Sequence, residues 1–132
     1  MDDDPVEVDV VAAFGGRADY GQRFAIYVPN KDRDGLPVAQ SKWLNEALQL
    51  LSAVGGGATA MPPVTGAWRN PETGILIIEE PVVVYAYVKP ALFVESLPEL
   101  AAFVRRMGRE TNQGAIALEF DGDFFTVEEF SD

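Results

Sequence analysis

The stretch from Ile75 to Val88 constrains this chain most. It is apolar at nearly every position, yet Glu79, Glu80 and Pro81 divide it in two. Proline has no N–H to donate to a ladder, so the run cannot be one unbroken central strand. It separates into a hairpin arm, Ile75 to Glu79, and a strand, Val82 to Val88. The opening Val82-Val83-Val84-Tyr85 is apolar on both faces, as a strand covered on both sides requires. The stretch from Ala58 to Arg69 is the opposite case. Pro62-Pro63 interrupts it, which confines it to a sheet edge or a bulge.

The other elements follow from periodicity. Arg23 to Val28 alternates, with Phe24, Ile26 and Val28 on one face, and Pro29 ends it. Ser41 to Val54 places Trp43, Leu44, Ala47, Leu48, Leu51 and Val54 on one helical stripe, stopped by Gly55-Gly56-Gly57. Ser96 followed by Glu99 predicts a capping box opening a helix with Leu97, Leu100, Ala101, Val104 and Met107 on its buried face. Arg105, Arg106 and Arg109 then lie near its C-terminus, where they complement the dipole. Ala115 to Phe120 alternates as a strand, Asp121-Gly122 signals a hairpin, and Phe124 to Phe130 returns as an extra strand. Val6, Val8 and Val10 alternate with acids and suggest a short N-terminal strand.

The order is therefore strand, helix, strand, strand, helix, strand. It predicts an α+β, ferredoxin-like βαββαβ sandwich. Two helices cover one face of an antiparallel sheet, with a C-terminal hairpin strand and the N-terminal strand added. The first and third core strands should be central and the second should be an edge. At 132 residues this is an acidic segment, residues 1–12, followed by one domain, residues 13–132.

Charge narrows the partners. The net charge is −11. Five acids lie in the first nine residues (Asp2, Asp3, Asp4, Glu7, Asp9) and six follow Leu118 (Glu119, Asp121, Asp123, Glu128, Glu129, Asp132). Between them ten acids balance ten bases. No basic footprint is present, which argues against direct nucleic-acid binding. No positive n-region with an apolar core opens the chain and no run approaches a membrane span, so a cytoplasmic protein without membrane contact is expected.

The second sheet face is unusual. Alternation assigns it Ala25, Tyr27, Val83, Tyr85, Tyr87, Ala115, Ala117 and Glu119. Three tyrosines among small residues mark a contact surface. Four occupants fit it: a second subunit packed sheet to sheet, the chain's own terminal strands, a small ligand using the hydroxyls as polar handles, or stacked bases. The last lacks the Lys/Arg cluster and the RNA-recognition pattern that should accompany it.

Chemistry-bearing residues are few. With no cysteine and no histidine, thiolate, imidazole and Cys/His metal chemistry are excluded, and acid–base work falls to carboxylates, Lys or Tyr. No cofactor and no metal site is expected. The spacing Asn30-x-Asp32-x-Asp34-Gly35 imitates a calcium loop but has Ser41 in place of the bidentate Glu, so it reads as a polar turn. Glu79-Glu80 are adjacent on a strand and point to opposite faces, so they do not converge. The densest polar stretch is Arg106-Met107-Gly108-Arg109-Glu110-Thr111-Asn112-Gln113-Gly114, which runs off the end of the second helix into the last core strand. Arg109, Asn112 and Gln113 can donate to an anion or carbonyl, and Glu110 can serve as a base. The structural alternative is a loop whose side chains satisfy the orphan carbonyls of a helix end.

Asp34-Gly35-x-Pro37-Val38, Trp43, Gly66-Ala67-Trp68-Arg69, the Gly74 turn, Glu80 and Glu110-Thr111-Asn112-Gln113 occur in an order that resembles a group of small bacterial proteins classed as a domain of unknown function. The resemblance spans about residues 22 to 120 and implies no activity. It does mark Trp68, Arg69 and the Arg109-to-Gln113 segment as site candidates. The resulting expectation leans away from catalysis. It is a non-enzymatic binding or regulatory module, acting through Tyr27, Tyr85 and Tyr87 by self-association as a dimer or by docking a protein. One alternative is a small ligand-binding protein or enzyme, with Glu110 as base and Arg109 as anion clamp in a pocket between the tyrosine face and that loop. The other is an acidic inhibitor of a nucleic-acid-binding protein.

Overall fold

The computed structural model describes residues 5–19 and 21–131. Of the two acidic ends, Asp2, Asp3, Asp4 and Asp132 lie outside the described residues. The fold is α+β, with an antiparallel main sheet and, among the described residues, three helices. The elements in chain order are α1 (Val10–Ala13), β1 (Gln22–Val28), α2 (Gln40–Gly55), β2 (Thr59–Ala60), β3 (Gly66–Arg69), β4 (Leu76–Glu79), β5 (Val82–Val88), α3 (Pro90–Glu110), β6 (Ile116–Phe120) and β7 (Asp123–Val127). The main sheet has the order β2-β5-β1-β6-β7, and β3 and β4 form a separate two-stranded ribbon.

Proline decides much of this layout. β5 sits between β2 and β1, with Ile26 opposite Val84 and Val28 opposite Val82. β2 is reduced to two residues at the sheet edge, just before Pro62-Pro63. The chain still follows β5 beyond it, since the Met61 N–H donates to Val83 O and the Val64 N–H to Pro81 O. The same edge then swings away at Pro81 into the ribbon.

The core lies on one face of the main sheet. Phe24, Ile26, Val28, Val82, Val84, Ala86, Val88, Ile116 and Leu118 meet Trp43, Ala47, Leu51 and Val54 of α2 and Leu100, Phe103, Val104 and Met107 of α3. Burying a residue such as Leu51 in full stabilises by roughly 1.5–3 kcal/mol. Trp43 packs on Phe103 at 6.0 Å, and Arg106 lies over the indole while bonding Glu46 at 2.7 Å. These contacts join the two helices. Gly56 ends α2 in the left-handed conformation (φ 82°), and its N–H donates to Ser52 O.

Three sequence expectations need correction. The stretch from Ala58 to Arg69 is not one edge strand, since Thr59–Ala60 pairs with β5 while Gly66–Arg69 pairs with β4 in the ribbon. Val6, Val8 and Val10 do not form a strand. Asp9 instead caps the short helix α1, its carboxylate accepting from the Ala12 N–H. The second long helix does not begin at Ser96 either, because α3 starts at Pro90 and carries Pro98 inside it. Phe93 explains why the extra turns persist: it is buried, stacks on Phe120 at 4.8 Å and contacts Phe24 at 5.1 Å. That packing holds the first turn against the interior proline, whose cost is about 3 kcal/mol. Among the described residues no helix is long and apolar enough to cross a membrane.

Candidate functional site

The face of the main sheet opposite the helices is built by alternation. Since Phe24, Ile26 and Val28 enter the core, Arg23, Ala25 and Tyr27 point the other way. Register then aligns the neighbours: Ala25 lies between Tyr85 and Glu119, Tyr27 opposite Val83, Arg23 opposite Tyr87, and Glu119 opposite Phe124. The centre of this face is dry, with Ala25 and Val83 buried beneath the rings. Its rim is wet, with Tyr87 50% and Phe124 63% exposed.

The polar groups on this face are paired across strands. The Tyr27 hydroxyl donates to Glu119 Oε2 at 3.0 Å. The Arg23 guanidinium lies over the Tyr85 ring at 4.0 Å. Tyr85 meets Tyr87 edge-on at 6.0 Å, and Tyr27 meets Phe124 edge-on at 6.2 Å. Burial, and then the bond to Glu119 with its negative charge, hold the Tyr27 hydroxyl above the usual phenol pKa. It therefore stays a neutral donor at physiological pH. Together these residues offer aromatic surface, a carboxylate with lone pairs beyond the one Tyr27 takes, and a guanidinium.

The Arg109-to-Gln113 loop is placed elsewhere and used differently. Gln113 is buried, and its amide donates to Lys31 O at 2.8 Å and Thr111 O at 3.1 Å. Arg33 donates to Gln113 O at 2.8 Å, and its own N–H donates to Asn112 O. Asn112, with φ 49°, donates to Asp34 Oδ2 at 3.2 Å. Thr111 bonds back to Met107 O, Arg109 donates to Phe130 O, and Glu110 pairs with Arg106 at 3.9 Å. The loop thus ties the end of α3 to the 31–34 turn and to the C-terminal segment. Glu110, Thr111 and Asn112 also line a cavity of about 290 Å³ with Asp32, Lys42 and Trp43. None of the tyrosines borders that cavity.

Trp68 and Arg69 occupy the β3–β4 ribbon. The Trp68 indole N–H donates to Glu79 Oε1 at 3.4 Å, and Arg69 donates to Gly74 O at 2.7 Å. Both of these hydrogen bonds stay within the ribbon and its turn. Alternation in the sequence put Arg23 on the same strand face as Tyr27, and Tyr85, Tyr87 and Glu119 on this sheet face, but only the tyrosines were named as site residues, and Phe124 was overlooked. Phe124 was accessible from the same alternation carried across the Asp121-Gly122 turn.

No family model matches the chain, and no curated protein is similar to it in sequence. Solved structures do share its fold. One is a phage SAM lyase in complex with S-methyl-5′-thioadenosine, 12% identical, with a TM-score of 0.60, covering 84% of this chain and 92% of that one. Another is a phage SAM lyase in its apo state, 13% identical, with a TM-score of 0.53, covering 85% and 92%. This likeness overturns the expectation of a non-enzymatic module and the leaning away from catalysis. A chain of nearly the same extent and architecture is an enzyme. The lack of histidine and cysteine therefore removes particular mechanisms and leaves catalysis open.

Proposed function

We propose that this protein is a small enzyme that binds S-adenosylmethionine, or a closely related 5′-thioadenosine compound, on the open face of its main sheet and cleaves a bond at the sulfonium sulfur. The observation that carries this reading is the fold shared with a SAM lyase along 84% of the chain. The proposal includes the ferredoxin-like βαββαβ plan, with β1, β2, β5 and β6 as its four strands.

The chemistry of the open face supports the reading. Tyr85 and Tyr87 offer rings against which a purine can pack. The Glu119 carboxylate, steadied by Tyr27, is a counter-charge for a sulfonium cation, and Arg23 is a partner for the substrate's carboxylate. S-Methyl-5′-thioadenosine differs from S-adenosylmethionine by the loss of the aminocarboxypropyl group. Cleavage therefore breaks the bond from sulfur to that group. The sulfur keeps the electron pair and becomes a neutral thioether. The carbon it leaves is satisfied either by loss of a neighbouring proton or by closure of the substrate's own carboxylate. In both routes this chain must hold the sulfonium and the carboxylate in a fixed relation and exclude water.

The test is incubation with S-adenosylmethionine while S-methyl-5′-thioadenosine is followed by chromatography. The product should accumulate above the spontaneous background. Glu119→Gln should slow it about 10- to 100-fold, as loss of a charge-assisted contact of ~1.5–3 kcal/mol implies. A folded protein that forms no product, and whose melting is unmoved by S-methyl-5′-thioadenosine, rejects the proposal.

A further inference from the structure

The open face carries a cation and an anion that the structure keeps apart. Arg23 and Ala25 share one face of β1, and Ala25 lies between Tyr85 on β5 and Glu119 on β6. Opposite charges on neighbouring strands ordinarily pair with each other. Here each is held by a tyrosine instead. The Arg23 guanidinium leans toward β5 and lies over the Tyr85 ring at 4.0 Å. Glu119, on the opposite side of β1, accepts from the Tyr27 hydroxyl at 3.0 Å. β5 and β6 each flank β1 at one inter-strand spacing, so the strands that anchor the two charges are roughly 10 Å apart.

Both charges keep bonding capacity to spare. A guanidinium offers five N–H donors in one plane. Among the described residues those of Arg23 meet no carboxylate, carbonyl or hydroxyl, and the ring beneath them supplies only its π-face. Arg23 is half-buried, so stacking fixes the side chain while its donors stay unspent. Glu119 gives one lone pair to Tyr27 and retains the others. The rings are less discriminating. Every base has a π-face to lay on a tyrosine, so stacking adds affinity with little selectivity. Charge-assisted hydrogen bonds are stronger and, for a guanidinium with a carboxylate, geometrically specific.

We infer that the open face reads the amino-acid end of its substrate rather than the nucleoside. Arg23 is the specificity-determining residue that takes the α-carboxylate, and Glu119 takes the sulfonium. The ligand class is therefore a sulfonium amino acid, with adenosine as an added stacking group. The location of the site rests on the preceding proposal. The selectivity goes beyond it, because 5′-thioadenosine compounds without a carboxylate become poor ligands.

Calorimetry on the full chain tests this with S-adenosylhomocysteine and its decarboxylated counterpart, both thioethers, and with S-methylmethionine and methionine. S-Adenosylhomocysteine should bind about 10- to 100-fold more tightly than its decarboxylated counterpart, the factor that one charge-assisted contact carries. Arg23→Gln should erase that factor by weakening S-adenosylhomocysteine alone. Arg23→Lys, which keeps the charge and loses the fork, should restore part of it. S-Methylmethionine, a sulfonium amino acid with no nucleoside, should bind more tightly than methionine, and Glu119→Gln should remove that preference. Equal affinity for the two thioethers would overturn the inference. So would an Arg23→Gln that lost both alike, because the arginine would then act through the ring it covers. Binding of S-adenosylhomocysteine with none of S-methylmethionine would also overturn it, since the nucleoside would lead. A failure of the preceding proposal reads differently. Arg23-dependent binding of S-methylmethionine, with no S-methyl-5′-thioadenosine formed from S-adenosylmethionine, would retain this inference and reject the reaction. Equal turnover of S-adenosylmethionine and its decarboxylated form would do the reverse.

Discussion

Two polar clusters on this domain use similar side chains to opposite ends. In the Arg109-to-Gln113 loop, the Gln113 amide bonds two backbone carbonyls, Asn112 bonds Asp34, and Thr111 bonds its own helix. On the open sheet, Tyr27 and Glu119 bond each other, but the rings around them face outward and the carboxylate has accepting capacity to spare. A polar group whose donors are consumed by the backbone holds the fold. One paired only with another side chain, on an apolar floor at the surface, can exchange that partner for a ligand. The richer donor set in sequence is therefore the poorer site in space.

The sharpest way to break this comparison is Gln113→Ala. It leaves Lys31 O and Thr111 O without their side-chain donor in a buried position, and should cost about 2 to 3 kcal/mol in denaturant melts. Turnover per folded molecule should be unchanged. If stability held and turnover fell, the loop would belong to the site.

The sequence disclosed some of this and concealed the rest for identifiable reasons. Pro62-Pro63 and Pro81 are local vetoes on hydrogen bonding, so an edge and the break in the 75–88 run could be read from them, but that Gly66–Arg69 leaves the edge to pair with β4 could not. Alternation placed Tyr27, Tyr85 and Tyr87 together because side-chain direction in a strand depends only on parity. The bond from Tyr27 to Glu119 spans 92 positions and needs the register of β1 on β6, which no local pattern encodes. The same holds for Gln113 and Lys31, 82 positions apart. Ser96 and Glu99 form a capping pattern inside a helix because Phe93, Phe24 and Phe120 hold the turn before it, a tertiary effect that overrides a local signal. The likeness to a SAM lyase was hidden for another reason: it is a likeness of fold at 12% identity, which leaves no run of residues to match.

A smaller effect is expected at Gly108, where the C-terminal segment crosses α3. A Cβ built there would come within 2.3 Å of the Phe130 ring. Gly108→Ala should displace Phe130 and loosen its carbonyl from Arg109, at about 1 to 2 kcal/mol, the lower part of the range for overpacking because Phe130 is only partly buried. The loop side of the molecule should register the change in its melting temperature, and the open face should not register it in turnover. Equal losses in both would join the two clusters that the comparison separates.

Tyr27→Phe addresses the open face alone. The raised pKa of Tyr27 means that the folded state binds this proton more tightly than the unfolded chain does. The stability it contributes is fully present below the unfolded value of about 10 and is lost as pH rises through the higher folded value. Tyr27→Phe removes the bond to Glu119, which should cost about 0.5–1.5 kcal/mol at pH 7. The difference between parent and variant should then shrink above pH 10. A constant difference across that range would mean that the hydroxyl contributes by packing instead of by its hydrogen bond.

Asp32 should give the smallest change, in the opposite pH direction. The Leu36 N–H holds its carboxyl below the usual range against the opposing effect of desolvation, with smaller help from the Asp34 N–H, the Asn112 side chain and the Arg33 charge. A depressed folded pKa stabilises above the unfolded value near 4 and ceases to do so as pH falls through the folded value. Parent and Asp32→Asn should therefore differ at neutral pH and converge on acidification below pH 4. The residue is exposed, so the difference should be slight and shrink little with salt, because most of it comes from backbone N–H groups rather than from Arg33. If it vanished in salt, the Arg33 charge would be the main partner, and the turn would be held by ion pairing rather than by hydrogen bonds to the main chain.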